Sequence, residues 1–226
     1  MNFLGVKHRT RSCSEPFRRV RVLSAGVVDW PLTRTKNHTI QYGMVTNSRW
    51  SKIVRYFALR YRRWARARIV GDVESIVRAA GATMRRKKLC LLATPGDHGV
   101  DARVLMPFPP DDQFGVWMGT AATSRKISQL RADGRATLVY EDDRKSACVV
   151  LVGEARVVDD LDERRKRFMP LWWVFWPDGP DSDFALIHFV PHRIEVLDTS
   201  RRITPEPFGL RAAAIERAPS GAWVLS

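Results

Sequence analysis

The apolar positions change period along the chain. Trp50, Ile53, Val54, Phe57, Tyr61 and Trp64 recur at helical spacing and predict a helix over 49–69. Gly71 ends it, and Asp72 fits the N-cap of a second helix from Val73 to Met84, with Val73, Ile76, Val77 and Ala80 on its apolar face. After Lys87-Lys88 the pattern becomes that of strands. Strands are predicted over Leu89–Thr94, Asp101–Phe108, Phe114–Gly119, Ala136–Glu141 and Ala147–Val158, the last with a bulge at Gly153. Pro95-Gly96-Asp97-His98-Gly99 turns the first strand into the second. A helix over Ser124–Ala132 separates the third and fourth strands. Another, capped by Asp159 and Asp160, runs to about Trp173. Ala185–Val190 and Arg193–Asp198 read as two strands joined at Pro191, and 212–225 as a last hairpin across Pro219-Ser220-Gly221. Many short strands with inserted helices predict a mainly β fold, an antiparallel barrel with a helical N-terminal arm.

Four segments follow. Residues 1–43 carry Arg, Ser, Thr and Pro without period and read as a disordered or non-native extension, with Met44 as an alternative start. Residues 44–70 form the basic amphipathic helix, 71–200 the barrel domain, and 201–226 a C-terminal extension that closes with the hairpin.

Charge sharpens this division. The 226 residues have 45% apolar and 27% charged side chains, an ordinary globular balance, but a net charge of +14. Residues 1–90 hold 21 Lys/Arg against 4 acids, a net of +17, and the rest is −3. The basicity therefore belongs to the arm. A Trp- and Arg-rich amphipathic helix can pack on its own domain or a dimer partner, lie on an anionic membrane, or contact nucleic acid.

Cys13, Cys90 and Cys148 are too widely spaced for a zinc or disulfide framework, which points to a reducing, cytoplasmic setting. No apolar run reaches the roughly 18 residues of a spanning helix. Arg18-Arg19 is followed by an apolar stretch broken by Arg21 and stopped by Asp29, so an export signal is not expected. Phosphate-loop, dinucleotide and zinc-protease motifs are absent, and the five His are dispersed. No metal site is predicted, and no acid/base pair identifies a catalytic residue.

One cluster has anion-binding chemistry. Thr120-Ala-Ala-Thr123-Ser124-Arg125-Lys126 joins the third strand to a helix start, where hydroxyls, cations and the positive end of the helix dipole converge. Arg103 on the neighbouring hairpin can add a bidentate contact.

These pieces occur in a familiar order: Leu91-Leu-Ala-Thr94, Ala102-Arg-Val-Leu105, Phe114-Gly-Val-Trp-Met-Gly-Thr120, Ser124-Arg-Lys126, Ala136–Glu141, Val152-Gly-Glu-Ala155 and Val190-Pro-His-Arg-Ile-Glu195. The order resembles the flavin-binding split barrel of the pyridoxamine 5′-phosphate oxidase-like superfamily, most closely its general stress protein branch, over roughly 72–200. The resemblance implies flavin mononucleotide (FMN) as cofactor, a deazaflavin in some relatives, and a homodimer with the site between subunits. Carried over by position, Arg103 and Lys126 would hold the flavin phosphate with Ser124 and Arg125 beside them. Thr120 would bond the phosphate or ribityl chain, and the backbone of Val104 and Leu105 would approach the flavin ring. The implied activity is a flavin-dependent oxidoreductase on an unknown small molecule; the alternative is a flavin-binding stress protein without turnover. The chain ends Gly221-Ala-Trp-Val-Leu-Ser226 where the oxidases proper carry an Arg-Leu-x-Pro-type substrate segment, which disfavours pyridoxamine phosphate as substrate. Leu171–Pro180 resembles the aromatic segment of the stress-protein branch, read as core, dimer packing or pocket wall.

Overall fold

The structure is a computed structural model and describes residues 49–205 and 210–226. The segment expected to be a disordered extension, 1–43, lies outside the described residues. The chain divides into two units between Ala58 and Leu59. The basic helix, α1, spans Arg49–Arg66, and no helix among the described residues is long and apolar enough to cross a membrane.

The second unit contains an eight-stranded antiparallel sheet. Its strands are β1 (Cys90–Gly96), β2 (Gly99–Leu105), β3 (Val116–Ala121), β4 (Arg135–Asp142), β5 (Ala147–Val158), β6 (Phe184–Asp198), β7 (Ala213–Arg217) and β8 (Trp223–Leu225). Three helices accompany them: α2 (Val73–Arg86), α3 (Arg125–Ala132) and α4 (Leu161–Arg167). Neighbours run β2-β1-β4-β5-β6-β7-β8, and β3 pairs with β6. The first half of β6, to Phe189, carries β3, and the second half, from Arg193, carries β7. This forked long strand splits the sheet around its core.

Alternation along the strands explains that core. In β4 and β5, Ala136, Leu138, Tyr140, Val149 and Leu151 point inward, and the residues between them outward. Helix α2 seals the interior with Ile76, Ala79, Ala80 and Met84. Its N-cap is the predicted Asp72, whose carboxylate accepts the Ser75 N–H at 2.8 Å.

Several expectations need correction. The segment 184–198 is one strand, not two joined at Pro191. Proline lacks an N–H, but the register of β5 against β6 shifts there: Val152 pairs with Arg193 and Gly153 with Pro191, so the extra residue is His192 and the bulge expected in β5 lies in β6 instead, where it accommodates the missing donor. The third strand begins at Val116, because Phe114 takes a left-handed φ of 63° in a turn tied by Asp111, whose carboxylate accepts the Gly115 N–H at 2.7 Å. The helix after Asp160 stops at Arg167, and Pro170–Val174 forms a separate 3-10 turn, since Pro170 cannot continue the α-helical ladder.

That 3-10 turn builds a second, smaller core. Trp172, Phe184 and Leu186 are buried, with Phe108, Trp117, Phe168 and Trp176 packed against them. Trp172 lies over Gly119 of β3, where a Cβ would come within 2.7 Å of the indole. Leu171–Pro180 is therefore partly core, as one of its expected readings had it, while Leu171, Trp173, Val174 and Phe175 remain exposed.

Candidate functional site

The turn between β3 and α3 is pinned from outside. Thr123 donates its backbone N–H (3.0 Å) and its hydroxyl (3.1 Å) to the Asp183 carboxylate just ahead of β6. Ser124 occupies the N-cap position of α3, yet its side chain makes no capping bond. Its hydroxyl is buried and has no protein partner. A buried hydroxyl without a protein partner is costly, and an acceptor or donor reaching it would be favoured.

Two sets of contacts converge on this helix start. Lys126 donates from Nζ to the Thr120 hydroxyl at 2.8 Å, linking the helix back to β3. Arg103, on the inward side of β2, donates from Nη1 to the Thr94 hydroxyl and from Nη2 to Gln129 Oε1, both at 2.6 Å. Thr94 in turn donates to the same Gln129 oxygen at 2.9 Å. Gln129 also donates to Asp101, and Arg125 faces that carboxylate at 3.4 Å. The ends of β1, β2 and α3 are thereby joined through one amide side chain.

The electrostatics are unbalanced. Arg125 faces the Asp101 carboxylate, which also acts on Arg103, while Lys126 bonds the neutral Thr120 hydroxyl. Burial lowers the pKa of Lys126, and the charge of Arg103 lowers it further. Arg103 is lowered as well, first by burial and then by Arg125, with Asp101 acting in the opposite direction. Cations that destabilise one another in a half-buried setting are stabilised by an incoming anion. Beside them, Gly96, Val100, Asp101, Arg125 and Gln129 line a cleft of about 420 Å³.

Of the predicted residues, Arg103, Thr120, Ser124, Arg125 and Lys126 thus meet around the start of α3. Val104 lies on the outward face of the sheet, 61% exposed, and Leu105 packs against the core. Their side chains do not join the cluster; the expectation for both concerned backbone groups. Sequence reasoning missed Gln129 and gave Thr94 no role. The spacing of Gln129, four residues after Arg125 and so on the same helix face, was the available signal.

Elsewhere, the Trp117 ring stacks on His188 at 4.0 Å and carries the Arg167 guanidinium at 3.6 Å. Among the described residues, no group of three or more His, Cys, Asp or Glu side chains is placed to hold a metal ion. Cys90 is buried in the core, and burial pushes its thiol up to about 12.

A family model, pyridoxamine 5′-phosphate oxidase like, matches residues 78–218. Among solved structures, a protein related to general stress protein 26 of B. subtilis, from Clostridium acetobutylicum, is 19% identical. The match covers 57% of this chain and 92% of that one, with a TM-score of 0.53. A pyridoxamine 5′-phosphate oxidase-related, FMN binding protein from Nostoc punctiforme is 15% identical over 68% of this chain and 94% of its own, with a TM-score of 0.51. No curated protein matches the chain in sequence. At these identities the solved structures speak to the fold, which is that of the expected split barrel. With most of its length matched by the family model, the chain belongs to the pyridoxamine 5′-phosphate oxidase-like family.

Proposed function

We propose that this chain binds flavin mononucleotide, with the phosphate at the start of α3, and serves as a flavin-dependent oxidoreductase on a small molecule. The observation that carries this reading is the imbalance of the cluster. Arg103 and Arg125 share one carboxylate, Asp101, Lys126 bonds the neutral Thr120 hydroxyl, and the buried Ser124 hydroxyl lacks a protein partner. A phosphate dianion supplies what that arrangement lacks: negative charge and acceptor oxygens. Arg103 and Lys126 would bear the phosphate charge, Thr120 and Ser124 would contribute hydroxyls, and Arg125 would approach from the cleft. The flavin itself supplies the redox chemistry when bound. The protein's own part is to hold the phosphate and to orient the cofactor along β2.

The family resemblance further supports a homodimer. Val104, Leu91, Val139 and Val150 stand in register across β2, β1, β4 and β5, on the face opposite the core. Together they form an apolar stripe, and its edge is well exposed at Val104. We propose that a second copy covers this stripe.

The test is visible spectroscopy and mass analysis of the small molecule carried by the purified protein, followed by titration of the stripped protein with FMN and with a deazaflavin. Flavin absorption, the mass of FMN and tighter rebinding of FMN are expected. A colourless protein that binds neither coenzyme would overturn the reading. Tighter binding of the deazaflavin would reassign the cofactor.

A further inference from the structure

Helix α1 has no part in the cluster above, and its composition is unlike the rest of the fold. Its 18 residues include seven Lys/Arg and no acid. At about 100° per residue, Ile53, Val54, Phe57, Tyr61 and Trp64 fall in one arc roughly 100° wide. Lys52, Arg55 and Arg63 lie outside it. All five apolar side chains are open to solvent: Ile53 47%, Val54 55%, Phe57 62%, Tyr61 54% and Trp64 51%. Arg68 adds a guanidinium 4.2 Å from the Trp64 ring.

Such a face needs a cover with two properties. It must be anionic, to match a helix without a single acid, and it must have an apolar layer that accepts Ile, Val, Phe and Trp together. A second copy of α1 would bring like charges together. Nucleic acid offers phosphates but no layer that buries aliphatic side chains. The surface of an anionic bilayer offers both, with headgroups for the arginines and the acyl boundary for the apolar arc.

We propose that α1 lies flat on anionic lipid surfaces and tethers the barrel to them. The proposal is independent of the flavin reading. It is tested with the full-length protein by co-sedimentation with phosphatidylcholine vesicles, with and without phosphatidylglycerol. Binding only to the anionic vesicles, weakened by salt, is expected. Phe57→Glu/Trp64→Glu, and separately Lys52→Glu/Arg55→Glu/Arg63→Glu, should each lower partitioning at least tenfold with the thermal melting of the barrel unchanged. Hydrogen exchange on the unmodified protein supplies a readout free of any folding defect, and vesicles should slow exchange across 49–66. Equal binding to neutral vesicles, undiminished binding by both variants, no protection of 49–66, or binding to duplex DNA alone would each overturn the proposal.

Discussion

Gln129 and Thr94 together aim Arg103. One amide oxygen accepts from both the guanidinium and Thr94, while the amide nitrogen reaches Asp101. Two substitutions separate holding the phosphate from positioning the residue that holds it. Arg103→Ala removes a charge-assisted contact worth about 1.5–3 kcal/mol, so FMN affinity should fall at least tenfold. Gln129→Leu leaves the charge in place and removes one of the guanidinium's partners while Thr94 remains, and a smaller loss is expected in the same fluorescence titration. A loss for Gln129→Leu equal to or greater than that for Arg103→Ala would reverse these roles.

The Lys126 shift sets a pH dependence. Its pKa in the folded protein lies below the ordinary 10.5, so it loses its proton at lower pH than a free lysine does. Without ligand, the folded state carries the cost of that charge at neutral pH. Between the lowered pKa and 10.5 the unfolded chain binds more protons, and stability rises with pH through that window. Anion affinity moves the other way and should fall through the same window as the positive charge is lost. Lys126→Arg should carry FMN binding to higher pH. Identical pH profiles for the two proteins would exclude Lys126 from the phosphate contact. The cationic members of this site were legible in the sequence because Ser-Arg-Lys at a helix start has its own chemistry. Gln129 and Thr94 were not, because an amide and a hydroxyl acquire a role only when folding brings β1, β2 and α3 together.

At the level of elements, the glycine of β5 and the bulged Pro191-His192 segment of β6 depend on each other. A Cβ on Gly153 would run into the Val190 carbonyl and come within 2.7 Å of Pro191 Cα, both backbone atoms that cannot swing aside. Gly153→Ala should therefore destabilise the fold by about 1–3 kcal/mol and lower the melting temperature. An unchanged melting temperature would show that the strands can separate freely. Strand positions were readable from period-2 alternation, and Gly153 marked where the ladder is irregular, although the extra residue, His192, belongs to β6. The continuity of β6 was not, since Pro191 alone reads as a strand breaker and only the bulge beside it, opposite Gly153, removes that objection. The 3-10 turn at Pro170–Val174 was missed for a related reason: its aromatic residues follow helical spacing, and the break lies in the backbone at Pro170.

For the whole molecule, the +14 is a property of the arm and not of the sheet. Read as one number it would nominate a nucleic-acid binder; divided at residue 70, it leaves residues 71–226 with 22 Lys/Arg against 22 acids, a neutral domain with a small cationic site. The apolar stripe across β2, β1, β4 and β5 gives the prediction proper to this scale. Leu91→Glu/Val104→Glu should convert a dimer to a monomer in light scattering, and an unchanged mass would place any interface elsewhere. The central claim is that Arg103, Arg125 and Lys126 exist to hold a phosphate. Comparing the affinities of FMN and riboflavin, which differ only by that phosphate, tests it most directly. FMN should bind at least tenfold more tightly, and Arg103→Ala/Lys126→Met should erase the difference. Equal affinity for the two ligands in the unmodified protein would contradict the claim.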